Sequence, residues 1–415
     1  MSYSKTSYVL ALFTAIVVLS GSGFKAGPAQ IRLFDLGIVL LLIAFVLSNT
    51  KLAFRRDYLF FYAIFSCLLT YSVLLLPVQT YSRTATVLQI IELAEYLVVF
   101  SVSSSFLINK NVTEHELVLD TVLWLTVAGS VISIAAFVAL GVRPVTQWYA
   151  FGFPAFGMYY ATAKYAIQRN WPYLVIILIL MSRILVGQSR SMYLFVPLAA
   201  LVTLTIDLRL SEILEIFSKK NILKLSAEAG ILSTGLLLAF PQVQARVSSI
   251  VQLSQGFLAR PARWLAGLSV FRRYPFGVGL GNYATAIQDF ALSETISYPS
   301  WFVDLFGPNR ITIELNKYQA GKAGPHSDFF RLLIELGFIG AGLLIIFWIF
   351  LFKKIINYST GPISLALIAT LVYLVFQQLV NSQLFAGVGG IFLVLILAVF
   401  STYELAAGRE RSSAL

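Results

Sequence analysis

The chain has 415 residues, of which 58% are hydrophobic and only 12% charged, and its formal net charge is +11 at pH 7. A soluble domain carries roughly a quarter charged residues, so this composition excludes a soluble globular enzyme and indicates a membrane protein. One cysteine (Cys67) and two histidines exclude an internal disulfide and argue against a metal site built on Cys or His.

Apolar segments that could cross a bilayer recur along the whole sequence. About 20 residues of helix, at roughly 1.5 Å rise each, cross the hydrocarbon core. The first segment is expected to be a span rather than a cleaved signal peptide, because similar segments follow it. The sequence predicts twelve spans, of which the sixth to ninth are short or charged: 7–24, 34–49, 58–78, 86–107, 117–140, 148–168, 172–188, 191–206, 223–240, 338–352, 361–381 and 385–404.

The distribution of Lys and Arg predicts the orientation of these spans. With both termini in the cytoplasm, most basic residues fall in the inner loops, as the positive-inside rule requires. The long segment from about 241 to 325 then lies outside and carries eight basic against four acidic residues. A basic outer surface suits an anionic ligand, and its position outside the cell excludes nucleic acid as the partner.

The same pattern divides the chain into three parts. Residues 1–240 hold spans one to nine, residues 241–337 form the large outer loop, and residues 338–415 hold the last three spans and a short inner tail. The loop is rich in aromatic residues and poor in Ser and Pro, which predicts a folded segment rather than a linker. We therefore expect an all-α polytopic membrane protein of about twelve helices with one large, partly helical outer loop.

Two stretches of the outer loop have a recognisable local pattern. Apolar residues recur at helical spacing over residues 260–273, where Arg260 and Arg263 lie one turn apart. The following GVGLGN, residues 277–282, looks like a dinucleotide fingerprint but has no strand–turn–helix context. The favoured interpretation is a turn in which glycine lets one backbone approach another.

A lone histidine, His326, stands directly ahead of a predicted amphipathic helix. Ser327 is a candidate N-cap, and the apolar residues after it recur at helical spacing, while Asp328, Arg331 and Glu335 share the other face. A helix N-terminus favours anions and disfavours imidazolium, so a neutral imidazole is expected. Two interpretations stand side by side: a polar residue at the water interface, or a base that accepts a proton.

Two arginines, Arg183 and Arg190, lie seven residues apart and would share a face of one helix. Counted from Pro172, Arg183 falls near mid-membrane and Arg190 near the outer surface, and such arginines usually find a partner or line a polar cavity. For Arg183 a structural ion pair is favoured, and for Arg190 a ligand. The candidate partners of Arg183 are Glu92, Glu95 and Asp120.

Four of these elements occur in the order of a known family. His326-Ser327, nine residues, then Gly337 and Gly340 fit H-[N/S/Q]-x9-G-x-x-G, and residues 275–282 fit P-x-G-x-G-x-G-N. The pair Arg190 and Leu194 is similar to R-x3-L, and the pair Arg260 and Trp264 to R-x3-W. Together they resemble the bacterial O-antigen ligases and the O-antigen or exopolysaccharide polymerases, which are GT-C-like integral membrane glycosyltransferases.

The resemblance implies a metal-independent, inverting glycosyl transfer at the periplasmic face of the bacterial inner membrane, without a cofactor. The donor would be an oligosaccharide on undecaprenyl pyrophosphate, and the partners an acceptor glycan, membrane lipids and a chain-length regulator. His326 would act as general base or contact the pyrophosphate, with Arg190 and Arg260 clamping the leaving group. Further substrate-binding candidates are Arg183, Arg263, Arg272, Arg273, Ser327 and Asp328.

Three functions remain open at this point. A second lipid-linked repeat as acceptor gives a polymerase, which is favoured, and a lipid A core as acceptor gives an O-antigen ligase. A flippase for the same lipid would show pseudo-symmetric halves and charges along a full transmembrane path, whereas here the charge gathers on the outer side.

Overall fold

The computed structural model describes residues 4–19, 23–26, 29–52, 59–78, 81–140, 153–186, 190–207, 255–293, 296, 298–320, 327–356, 361–380 and 388–414. The first part of this chain is built of α1 (Lys5–Leu19), strands β1 (Gly23–Ala26) and β2 (Ala29–Arg32), α2 (Leu33–Leu47), α3 (Leu59–Leu75), a short 3-10 turn (Leu76–Val78), α4 (Arg83–Leu107), α5 (Val112–Leu140), α6 (Phe153–Gln168), α7 (Trp171–Val186) and α8 (Arg190–Asp207). The second part is built of α9 (Gln255–Arg273), α10 (Tyr283–Ser293), α11 (Ser300–Phe306), α12 (Pro308–Gln319), α13 (Asp328–Glu335), α14 (Gly337–Ile356), α15 (Pro362–Val380) and α16 (Val388–Ala414).

The helices follow the predicted spans closely. Every predicted span coincides with a helix except 223–240, which lies outside the described residues. Five helical segments in the described ranges are long and apolar enough to cross a membrane: Arg83–Leu107, Val112–Ala139, Gly337–Ile355, Pro362–Leu379 and Gly390–Glu410. Several of the others are apolar but shorter, so a helical membrane protein is supported and the total of twelve spans stays a prediction.

One small hairpin is added to the predicted helical fold. Strands β1 and β2 pair antiparallel, with Gly23 opposite Arg32, in a region where the sequence predicted the end of the first span and a loop. The first helix accordingly ends at Leu19 rather than near residue 24. Gly27-Pro28, between the two strands in the sequence, is a dipeptide typical of turns.

Helices α15 and α16 form the centre of the bundle. Their spanning windows are 78% and 89% buried, against 33–39% for α4, α5 and α14. A helix that is apolar all round and covered on all sides occupies a protein core. The helices around it expose large apolar side chains instead, such as Val39 and Ile43 on α2 and Ile132 on α5. Exposed apolar surface of this extent suits contact with lipid.

Both chain ends lie at one end of the bundle, together with the connection between α4 and α5. The backbone N–H of Ser4 donates to Glu114 over 3.1 Å, and the backbone N–H of Val112 donates to Glu410 over the same distance. The guanidinium of Arg409 also donates to the carbonyl of Ile108. These contacts hold the N-terminal and C-terminal helices to the same turn.

The segment from α9 to α12 lies at the opposite end of the bundle. The hydroxyl of Tyr71, on α3, donates to the carbonyl of Phe276, and the backbone N–H of Ser82 donates to the side chain of Asn282. This segment has its own core, which includes Ala266, Val270 and Tyr318. The prediction that residues 260–273 are helical and that this segment is folded is therefore correct.

A buried lysine joins α5 to α6 at the end that carries the chain termini. Lys164 is 4% exposed, and its ammonium lies 2.5 Å from a carboxylate oxygen of Glu116 and 3.7 Å from one of Asp120. The hydroxyl of Tyr160 donates to Asp120 over 2.8 Å. Asp120, predicted as a partner for Arg183, thus has Lys164 and Tyr160 as neighbours.

Replacing this lysine tests how much the buried charges hold α5 to α6. Lys164→Met leaves two carboxylates without their cation, so unfolding free energy falls by about 1.5–3 kcal/mol, the range for hydrogen bonds to charged groups. Thermal unfolding of the detergent-solubilised protein measures the loss. The double variant Lys164→Met/Glu116→Gln should recover part of it. An effect no larger than that of Lys353→Met, at an exposed lysine, would contradict the assignment.

Candidate functional site

The glycine turn brings residues 275–282 against the junction of α13 and α14. The N–H groups of Val278 and Gly279 donate to the carbonyls of Ile334 and Glu335 over 3.0 and 2.7 Å, and the N–H of Phe338 donates back to Pro275 over 3.1 Å. This pairing confirms the predicted close approach of two backbones at the glycine stretch.

Glycine is required on both sides of this contact. Gly277 and Gly337 have φ of 97° and 63°, conformations that residues with a Cβ rarely adopt. A Cβ at Gly277 would lie 2.5 Å from the carbonyl oxygen of Glu335, and one at Gly337 would collide with the carbonyl of Pro275. The first glycine of G-x-x-G and the first glycine of the P-x-G-x-G-x-G-N element therefore serve one contact.

The same turn is also attached to the start of α4. The hydroxyl of Thr86 donates to the carbonyl of Leu280 over 2.6 Å, and the fully buried amide of Asn282 donates to Thr86 over 3.1 Å. At Gly281, with φ of 77°, a Cβ would lie 2.9 Å from the carbonyl oxygen of Ala85. The turn consequently links α4, through the side chains of Thr86 and Asn282, to α13, through main-chain hydrogen bonds.

Helix α13 begins as the sequence predicts. The hydroxyl of Ser327 accepts a hydrogen bond from the N–H of Phe330 and donates to the carbonyl of Gln378, on α15. The indole of Trp264, on α9, stacks on the ring of Phe330 with 5.1 Å between centroids. The R-x3-W element and the histidine signature thus meet through one aromatic pair.

Helix α8 places Arg190 at the same end of the bundle. Arg190 is the first residue of α8, and the ring of Phe195, just over one turn later, contacts Phe376 of α15 with 5.6 Å between centroids. Phe376 precedes by two residues the Gln378 that receives the Ser327 hydroxyl. Through Phe195, the helix that begins with the R-x3-L element therefore packs on α15, the helix that Ser327 contacts.

The condition under which Arg183 and Arg190 would share a helix face, one helix through both, is not met by the described helices. Arg183 lies in the last turn of α7, which ends at Val186, and Arg190 begins a new helix. Arg183 is buried on α7 rather than standing midway along a continuous span.

A buried polar network, unexpected from the sequence, occupies the inner face of α13. The Arg331 guanidinium donates to Glu335 over 3.1 Å and to Gln89 over 2.9 Å, and Gln89 donates to Glu92 over 2.8 Å. Glu335 also accepts from the N–H of Tyr283 over 3.2 Å. The polar face of α13 is packed against α4 and the glycine turn.

The charges of this network perturb one another. Burial raises the pKa of Glu335, against the opposing effects of Arg331 and of the N–H groups of Gly281 and Tyr283. Burial also opposes the charge on Arg331, but Glu335, Asp328 and Glu92 outweigh it and raise the pKa of the guanidinium. Arg331 therefore stays a fixed cation beneath the N-terminal turn of α13.

The other predicted site residues differ in their exposure and in their partners. Arg260 is half-buried on α9, and Arg263 lies 3.3 Å from Glu314 of α12, so at least Arg263 has a structural partner. Arg272 and Arg273 are exposed in the last turn of α9. His326 lies outside the described residues, as does the side chain of Arg190, and Asp328 is fully buried at the start of α13.

No group of three or more His, Cys, Asp and Glu side chains that could hold a metal ion occurs in the part of the chain that the structure describes. The charged groups that surround α13 there are arginines and carboxylates in hydrogen-bonded networks.

The described helices and the site define a polytopic helical membrane protein with a further helical segment, α9 to α12, packed on one end of its bundle. Residues 173–345 match the family model described as O-antigen ligase. This match runs from α7 into α14 and includes all four sequence elements, so the chain is similar to the O-antigen ligase family over these residues and the predicted resemblance is confirmed. No curated protein matches the chain.

Replacing Gly337 with alanine should disrupt the contact between α14 and the glycine turn. The positive φ alone costs a residue with a Cβ about 1–3 kcal/mol, and the collision with Pro275 adds to it. Gly342→Ala, one turn later on α14, is the matched control, because no atom lies within 4 Å of its added Cβ. Thermal unfolding of both variants in detergent checks the prediction, and equal midpoints would contradict it.

Removing Arg331 should be more damaging than removing the whole pair. Arg331→Met leaves Glu335 buried without its cation, which costs about 3–5 kcal/mol, whereas replacing both charged partners is often close to neutral. The double variant Arg331→Met/Glu335→Leu should therefore unfold at a higher temperature than Arg331→Met. If the two substitutions simply add, the pair does not act as a unit.

Proposed function

We propose that this protein transfers an oligosaccharide from undecaprenyl pyrophosphate to a glycan hydroxyl at the periplasmic face of the inner membrane. The product is a longer lipid-linked chain, so the protein is a polymerase of O-antigen or exopolysaccharide repeat units. It works by inverting transfer without a metal ion. The observation that carries the proposal is the O-antigen ligase match over residues 173–345, within which three motif elements pack on one short helix.

The geometry around α13 supports this chemistry. The R-x3-W helix stacks on α13, the glycine turn hydrogen-bonds to its last residues, and Ser327 caps its N-terminus. A helix N-terminus presents N–H groups and a positive dipole end, which favour an anion such as a phosphate. Helix α13 is thus well placed to contribute to a site for a pyrophosphate group.

Arginine residues supply what a departing pyrophosphate needs in the absence of a metal. One guanidinium group can donate two parallel hydrogen bonds to phosphate oxygens, and it stays charged at all physiological pH values. In the proposal Arg190 and Arg260 neutralise the charge that develops on the leaving group, the electrostatic contribution that usually dominates catalysis. Arg263 is the weaker candidate for phosphate binding, because Glu314 already neutralises it.

His326 is proposed to act on the acceptor. It directly precedes Ser327, the N-cap of α13, where the helix dipole favours a neutral imidazole. Such an imidazole takes the proton from the acceptor hydroxyl as the hydroxyl oxygen attacks the anomeric carbon and the bond to pyrophosphate breaks. The alternative role, a hydrogen bond to the pyrophosphate, predicts a different pH dependence.

A second candidate function is the ligation of the glycan to a lipid A core. The matched family is described as O-antigen ligase, and the donor chemistry is the same. The two functions differ only in the acceptor, so one assay with two acceptors separates them.

His326→Ala and Arg190→Ala should abolish transfer without unfolding the protein. Loss of a general base costs about 10²–10⁴-fold in rate. The assay uses purified protein in detergent, a repeat unit on undecaprenyl pyrophosphate and EDTA, with products separated by size on a gel. A ladder in the absence of any second acceptor establishes a polymerase, and transfer only after a lipid A core is added establishes a ligase.

Lys353→Ala is the control, since Lys353 is exposed in the last turn of α14, at the other end of that helix. Undiminished transfer by a folded His326→Ala variant would rule out the assigned role of the histidine. Activity that disappears with EDTA and returns with a divalent metal would overturn the metal-independent mechanism.

A further inference from the structure

Two phenylalanines meet in the open where α14 begins. Phe276 of the glycine turn and Phe338 of the first turn of α14 are 59% and 52% exposed, and their ring centroids lie 5.3 Å apart. The pair lies at the first turn of α14, which is long and apolar enough to cross a membrane. Large apolar side chains left uncovered at the end of such a helix usually contact lipid.

The apolar surface continues on α3. The hydroxyl of Tyr71 donates to the carbonyl of Phe276 over 2.7 Å, which fixes the turn to the end of this helix. Leu74, less than one helical turn further on, is 66% exposed. The phenylalanine pair is thus continuous with the apolar outer surface of the bundle rather than isolated in the basic loop.

Two exposed cations precede the pair by a few residues. Arg272 and Arg273 occupy the last turn of α9, and the chain then turns through a hydrogen bond of 2.9 Å from the N–H of Gly277 to the carbonyl of Tyr274. The Arg273 guanidinium lies over the ring of Tyr274 at 5.6 Å. Basic residues at a helix C-terminus are favourable in themselves, but this dipole effect does not account for the adjoining exposed phenylalanines.

We propose that Arg272, Arg273, Phe276 and Phe338 form a docking patch for the polyprenyl pyrophosphate carrier of the donor. The inference rests on the proposed function and deepens it. The two guanidinium groups bind the pyrophosphate oxygens, which they suit in charge and geometry. The two phenylalanines contact the first isoprene units of the lipid chain.

The patch adjoins the site through the backbone. The turn that carries Phe276 is hydrogen-bonded at Val278 and Gly279 to the last residues of α13. A carrier held on the patch therefore keeps its pyrophosphate beside the helix that His326 precedes. In this arrangement Arg272 and Arg273 capture the substrate, while Arg190 and Arg260 act during transfer.

The test compares two double variants with two donors. Arg272→Gln/Arg273→Gln and Phe276→Ser/Phe338→Ser are assayed with a donor on the full polyprenyl chain and a donor on a two-isoprene chain. Loss of the arginines should raise KM about tenfold for both donors, the equivalent of about 1.4 kcal/mol. Loss of the phenylalanines should raise KM for the long-chain donor only. Lys353→Gln is the control, and thermal unfolding checks that every variant folds.

Native mass spectrometry of lipid retention separates the possible failures. The wild type should retain undecaprenyl pyrophosphate in preference to phosphatidylglycerol, and both double variants should lose this preference. Equal retention of the two lipids would show a general lipid anchor and overturn the proposal, as would unchanged KM values. Patch-dependent retention without any transfer by the wild type would instead refute the proposed enzymatic function and leave the docking patch standing.

Discussion

The site depends on the close contact between two backbone segments, the glycine turn and the junction of α13 with α14. Gly277 and Gly337 face each other there in conformations that a Cβ would oppose on steric grounds alone. The contact leaves no room for side chains and is held by N–H groups and carbonyls of both segments. The contact determines where α13 ends, where α14 begins, and how the segment from α9 to α12 packs on the bundle.

A buried ion pair next to this backbone contact reinforces it. The buried pair Arg331 and Glu335 joins α13 to α4 and to the N–H of Tyr283, just after the glycine turn. Buried ion pairs contribute little net stability over apolar residues, but they penalise arrangements in which a partner is missing. A helix held in this way has one orientation, which is what the proposed alignment of a pyrophosphate and an acceptor requires.

The surroundings of the site differ in polarity over a short distance. The inner face of α13 is buried and carries the charged pair Arg331 and Glu335. By contrast, two exposed phenylalanines lie at the start of α14, and two exposed arginines precede the first of them by a few residues in the sequence. A lipid-linked sugar has the same division, with an apolar chain, a doubly charged linker and a polar glycan. This correspondence supports the proposal that the lipid-linked substrate binds where the bundle meets the segment from α9 to α12.

The sequence by itself determined the class of the protein and most of its elements. Composition and long apolar runs identify a helical membrane protein, because a bilayer imposes length and polarity on every span. The helix after Ser327, its N-cap and the close approach at the glycine stretch also follow from local rules on capping and glycine.

The tertiary structure decided which charges are neighbours. Nothing local distinguishes Arg331, with its buried carboxylate and its contact to α4, from a solvated residue on a polar face. The same holds for Arg263, which Glu314 neutralises from another helix, and for Lys164, which pairs with carboxylates of α5. Arg183 and Arg190 likewise lie on two helices, α7 and α8, whereas one continuous helix would align them on the same face. Periodicity reports which residues share a face, whereas the partner of that face is set by packing between distant segments of the chain.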